Sequence, residues 1–138
     1  MFREFGIDEF LLLLKGAQWT IALSFIAFIG GSVLGLVVAA VRAVGHPILN
    51  YIAIVYIQFI QGTPLLGQMF LFFFGFSIFG LDVSPWFAVS ISLILFSGAF
   101  LGDIWRGCIQ AVPQPQWEAS ACLGLGFIQQ MRYIILPQ

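Results

Sequence analysis

From residue 17 to residue 41 the chain carries no charged side chain, and its polar positions are few and isolated. About 20 mostly apolar residues take a helix across the hydrocarbon core of a bilayer, so this run predicts a first span. Arg42, Gly45, His46 and Pro47 then form a polar break. Apolar residues resume from Tyr51 to Gly80, interrupted by Gln61-Gly62-Thr63-Pro64. Proline has no amide donor and disfavours helix at the residue before it. It is accepted in the first turn of a helix. The pattern therefore predicts a lead-in helix to about Ile60 and a second span over 64–79. Asp82, Ser84 and Pro85 mark a turn, and a third span follows over 86–105. Trp86 and Trp105 stand near its ends, where amphipathic rings favour the membrane–water boundary.

Two spans carry small residues at helical spacing. Ala27, Gly31, Gly35 and Ala39 recur every fourth position and share one face of the first helix; Gly98 and Gly102 do the same in the third. In lipid no hydrophobic force draws helices together, and small residues hold them by letting backbones approach. Packing within the chain is the expected use of both stripes. With three crossings, Arg42, Arg106 and Arg132 fall on one side and Arg3 and Lys15 on the other. That bias places the first side in the cytoplasm.

Composition agrees with the spans. Apolar residues make up 61% of the chain and charged residues 8%, against roughly 25% charged in a soluble domain. The reading is an all-α integral membrane protein, one domain over 1–138 with membrane lipid as its solvent. A net charge of −1 offers no nucleic-acid surface. Cys108 and Cys122 lack metal or redox spacing and read as ordinary small residues. The start, Met1 to Glu9, has three acids and one arginine ahead of a short Leu11–Leu14 run, which is not the pattern of a cleaved signal. No phosphate loop and no nucleophile–base or metal constellation is present, so neither catalysis nor a resident cofactor is expected.

The stretch over about 107–136 differs from what precedes it. Pro113, Gln114, Pro115 and Gln116 lead into helix formers from Glu118 to Leu123, and Gly124 and Gly126 end that run. Phe127 to Leu136 allows a second short helix before Pro137. Two short helices joined at glycine form a knob on the cytoplasmic side, suited to a groove on a partner. Within the third span, Asp103 stands three residues before Arg106. An ionisable residue in a span is a functional candidate. A local i,i+3 pair between the two is the alternative.

Glu118-Ala119, Gly124, Ile134, Leu136 and Pro137 stand in the order and spacing of the EAA motif, and the chain resembles the permease subunits of ABC importers. Ser120 stands where that motif usually has alanine. Gly62-Thr63-Pro64-Leu65-Leu66, Ser97-Gly98-Ala99-Phe100-Leu101, Trp105-Arg106-Gly107, Val112-Pro113 and Gln116-Trp117-Glu118 resemble the polar-amino-acid branch. The resemblance covers about Ala17 to Gln138. It implies a type I importer transmembrane domain in the inner membrane, here three spans and the cytoplasmic EAA loop. It also implies a second permease subunit, two ATPase subunits that hold ATP and magnesium, and an external solute-binding protein. Glu118, Ala119, Ser120, Gly124, Ile134, Leu136 and Pro137 would form the ATPase-docking loop. Gln61, Thr63, Phe96, Ser97 and Asp103 are the candidates for the translocation path. The chain departs from the family at Gln58 and Gln61, usually glutamate and arginine, at Phe96, usually asparagine, and at Gln114-Pro115, usually Lys-Gly.

Polar amino-acid import driven by a separate ATPase is the function this implies. The alternatives are a remnant that does not transport and an ion-coupled secondary transporter. The first rests on the chain ending at Leu136-Pro137-Gln138, where the family continues into further spans, and predicts an incomplete domain. The second requires intramembrane ionisable groups and paired broken helices, of which the sequence shows almost none.

Overall fold

The computed structural model describes residues 6–138, with Val44 described by its backbone alone. Arg3, one of the cations in the charge comparison, lies outside the described residues. Six helices follow in order: α1 Ile7–Val44, α2 Pro47–Gly62, α3 Leu65–Ile78, α4 Pro85–Ala111, α5 Gln114–Cys122 and α6 Phe127–Gln130. A π-helical turn, Met131–Ile135, continues from α6.

The first helix is longer than the expected 17–41 span. Glu9 accepts from the Gly6 amide at 3.0 Å and starts the helix at Ile7. Gly45, at φ 74°, ends it in the left-handed region that glycine enters without strain. Arg42 therefore belongs to the last turn of α1 rather than to a polar break. The 38 residues of α1 measure about 57 Å, nearly twice the hydrocarbon thickness. Its first turns, with Asp8, Glu9 and Lys15, extend beyond one span.

α1 and α4 form the centre of the molecule, side by side and parallel. Trp19 meets Trp86 at one end, with ring centroids 4.7 Å apart. Arg42 meets Asp103 at the other. Between them, Gly30 faces Ile94, Gly31 faces Ser97, and Gly35 faces Gly98, Leu101 and Gly102. A parallel pair requires the chain to return across its length between Gly45 and Pro85. α2 and α3 make that return. Each is too short to cross alone, and they are bent by 106° at Thr63-Pro64, so the second crossing is a broken span made of both helices. A core of Val38, Ala53, Ile57, Ile60 and Ala99 ties α2 to the central pair. The Tyr56 hydroxyl adds a bond of 2.5 Å to the Leu95 carbonyl.

α4 also runs past its expected end. Residues 107–111, assigned from the sequence to the loop, form its last turns. The knob proper begins at Val112-Pro113. Gly124, at φ 74°, reverses the chain between α5 and α6, and the Leu125 amide bonds back to the Ser120 carbonyl at 3.3 Å.

Candidate functional site

Three places in this frame hold the residues singled out from the sequence. The first is the break between α2 and α3. Thr63 and Pro64 are both extended there, which strands the last carbonyls of α2 in an apolar setting. Unsatisfied backbone groups are costly in lipid. Thr63 Oγ1 donates to the Phe59 carbonyl at 2.9 Å. Gln68, 3% exposed, donates through Nε2 to the carbonyls of Ile60 (2.8 Å) and Thr63 (3.1 Å) and to Thr63 Oγ1 (2.7 Å). One side chain from the first turn of α3 thus holds the end of α2. Gln68 was not singled out from the sequence, although a lone amide soon after a proline break in an apolar run is a visible signal. Its Oε1 is buried without a donor.

The second place is the α1–α4 seam. A Cβ on Gly35 would lie 3.0 Å from the Gly102 amide nitrogen, and one on Gly102 would lie 2.9 Å from Val38 Cγ1. Gly98 presses on Leu34 in the same way, at 2.8 Å. Ala39 is buried as well, whereas Ala27 is half-buried. At the end of the seam the side chains differ from expectation. Asp103 does not pair with Arg106, one turn away on its own helix. It accepts from Arg42 Nη1 of α1 at 2.5 Å. The reason is the close seam, which brings the last turn of α1 within reach of α4. Arg42 is 9% exposed and Asp103 44%. No reading of α4 alone finds this partner, 61 residues away.

Three of the five candidates for a path lie in the break or along the seam. Thr63 lies in the break, Ser97 in the seam and Asp103 in the ion pair. Phe96 packs on the core and meets the Phe100 ring at a tilt, while Gln61 is exposed near the end of α2. Gln58 is exposed too, and no hydrogen bond joins it to Gln61.

The third place is the knob. Glu118 and Ala119 are exposed on α5. Ser120 is 2% exposed and donates to the Trp117 carbonyl at 2.7 Å, so its hydroxyl is satisfied within the helix and the residue fills little more than an alanine's space. Gln130 Nε2 donates to the Leu125 carbonyl at 3.0 Å and braces the turn around Gly124. Gln138 bonds to Gln116 and so ties the end of the chain to α5. Ile135 is buried, Ile134 half-buried, and Leu136 and Pro137 exposed. Leu123, Phe127 and Ile128 are 77%, 60% and 79% exposed, so three large apolar side chains of the knob lie open. No group of three or more His, Cys, Asp or Glu is placed to hold a metal among the described residues.

A parallel helix pair, a broken return span and a short helical knob at one end define a multi-pass membrane domain, and its likeness to a solved amino acid ABC transporter identifies the type I importer fold. The chain belongs to the family of binding-protein-dependent transport system inner membrane components, whose model matches residues 31–138. It is 37% identical over 135 residues to the probable amino-acid ABC transporter permease protein YckA of Bacillus subtilis (strain 168), covering 98% of this chain and 60% of that protein. It is 34% identical over 128 residues to the glutamine transport system permease protein GlnP of Escherichia coli (strain K12), covering 91% and 58%. A crystal structure of an amino acid ABC transporter with histidines superposes on the whole chain with a TM-score of 0.82 at 32% identity, over 65% of its own length. The chain thus spans about three fifths of the length of the relatives it matches. The family is one of inner-membrane transport components, not of enzymes.

Proposed function

We propose that this chain is the membrane part of an importer for polar amino acids, driven by ATP hydrolysed on a separate subunit. The knob carries the reading. It leaves Glu118 and the apolar side chains of Leu123, Phe127 and Ile128 exposed at the Arg42 end of the helix pair, and it turns at a glycine. A lever of this kind biases a two-state membrane core only if each state meets it differently. Glu118, Ala119 and Ser120 would enter the ATPase with α5, Gly124 would set the angle of α6, and Ile134, Leu136 and Pro137 would carry the motion back to the spans. ATP and magnesium belong to that partner. A second permease subunit and an external solute-binding protein complete the assembly. Amino-acid carriage is supported by the relatives, several of which are permeases for glutamine or other amino acids.

The test reconstitutes the full-length permease with its ATPase and binding protein. Gly124→Pro forces φ to about −65°, against the observed positive value. Solute-stimulated hydrolysis should fall to the basal rate while membrane insertion is retained. Normal stimulation in that variant refutes the lever.

A further inference from the structure

Beside the Arg42–Asp103 pair lies a further feature, where the knob meets the ends of α1 and α4. A half-open cavity of about 170 Å³ is lined by Arg42, Ala43, Arg106, Ile109, Gln110 and Trp117. It is formed by the last turns of α1 and α4 and the first turn of α5. At ~30 Å³ per liquid water it has room for one tetrahedral oxyanion.

The chemistry of the lining is one-sided. Arg42 has a single ion-pair partner, Asp103, and its Nε is buried with no acceptor. Among the described residues, no hydrogen bond or ion pair engages the side chains of Arg106, Gln110 and Trp117. Guanidinium and indole groups only donate. Two arginines against one aspartate leave a net positive charge at the cavity. Arginines at a span end often reach outward to the interface with their stems along apolar surface. Arg42 does not, since it is 9% exposed and turned into the protein. What these groups lack is an acceptor with negative charge.

We propose that this cavity binds a phosphate group, held by Arg42 and Arg106 with Gln110 and the Trp117 indole N–H completing the shell. Arginine pairs with phosphate through two parallel bonds, which a compact ammonium cannot make. Basic pockets between membrane helices on the cytoplasmic side are matched to anionic lipid head groups. The same shell takes a free phosphate from solution. Because Trp117 stands on α5, an occupied cavity would tie the knob to the ends of α1 and α4 and stiffen it. The proposal rests on the membrane reading and not on ATPase docking.

Native mass spectrometry of the full chain, with phosphatidylglycerol or phosphatidylcholine added, tests it directly. The chain should retain phosphatidylglycerol about fivefold better, the preference expected from one further basic contact to an anionic head group. Arg106→Gln removes that preference, and so does Trp117→Phe, which leaves the charge unchanged. Arg132→Gln removes an exposed cation elsewhere on the knob and should change nothing. The three variants avoid Arg42, whose loss strands Asp103. If inorganic phosphate raises the thermal midpoint of the chain in phosphatidylcholine nanodiscs and Arg106→Gln abolishes the effect, the site takes the free anion, and the shell stands. Equal retention of both lipids together with no effect of phosphate overturns the site. So does a preference lost to the same extent in Arg132→Gln, because net charge alone would then explain it.

Discussion

The α1–α4 seam and the α5–α6 knob lie at opposite extremes of how this chain uses small residues. In the seam, Gly31, Gly35, Gly98 and Gly102 are present because no room exists for a side chain. In the knob, Gly124 has nothing within 4 Å of where a Cβ would sit, and its requirement is a backbone angle alone. The seam is closed and held by contact along most of its length. The knob is held by local hydrogen bonds and leaves Leu123, Phe127 and Ile128 uncovered. Lipid supplies no force between helices, so the seam relies on close packing. Water does supply one, so large apolar side chains left open on the knob are what a docking partner would cover.

That contrast can be broken most forcefully in the seam. Gly35→Leu would push the α1 and α4 backbones apart, since its first carbon already meets Gly102 at 3.0 Å. Overpacking of this kind costs about 1–3 kcal/mol in ordinary cores and more where backbone must move. The expected result is loss of most folded protein, read as the monodisperse fraction after extraction. The same change at Gly107, which is helical and open, should have little effect.

Asp103→Asn comes next. It leaves Arg42 buried without its counter-charge, a loss of about 1–3 kcal/mol, toward the lower figure because Asp103 is 44% exposed. Asp103→Asn with Arg42→Gln should recover part of that stability in a denaturation series. No recovery would mean the two sites are not coupled.

Gln68→Leu removes the donors that hold the end of α2. A loss of about 1 kcal/mol is expected, mainly from the Thr63 carbonyl, because the Ile60 carbonyl keeps the Thr63 hydroxyl at 3.4 Å. Spin labels on α2 and α3 should then report a broadened distance distribution across the bend. An unchanged distribution would show that Pro64 alone sets the angle.

The smallest effect belongs to the knob. Gly124→Ala places a side chain at φ 74° in open space, so only backbone strain acts, about 1 kcal/mol. A thermal midpoint lowered by a few degrees, with insertion intact, is the expected outcome. A loss as large as that of Gly35→Leu would remove the distinction between the two regions.

Much of this architecture is legible in one dimension. A run from 17 to 41 without charge has one stable solution in a bilayer, because only a helix satisfies its own backbone there. A proline at 64 must interrupt whatever precedes it, and a glycine at 124 between two helix-forming runs must turn. These are local demands, met wherever the residues are placed. The EAA spacing is legible for the same reason, since it lies within 20 residues of continuous chain.

The tertiary structure decided what depends on distance across the chain. Asp103 had a cation one turn away in sequence and took Arg42 from another helix, because close backbone approach at Gly35 and Gly102 brings that helix nearer than a side chain can curl back. Gln68 looks like an ordinary polar residue until the bend aims it at two stranded carbonyls. The phosphate-sized cavity joins Arg42, Arg106 and Trp117 from three helices whose order in sequence predicts no meeting. Backbone chemistry writes the helices and their ends into the sequence; which side chains meet is settled only when the helices pack.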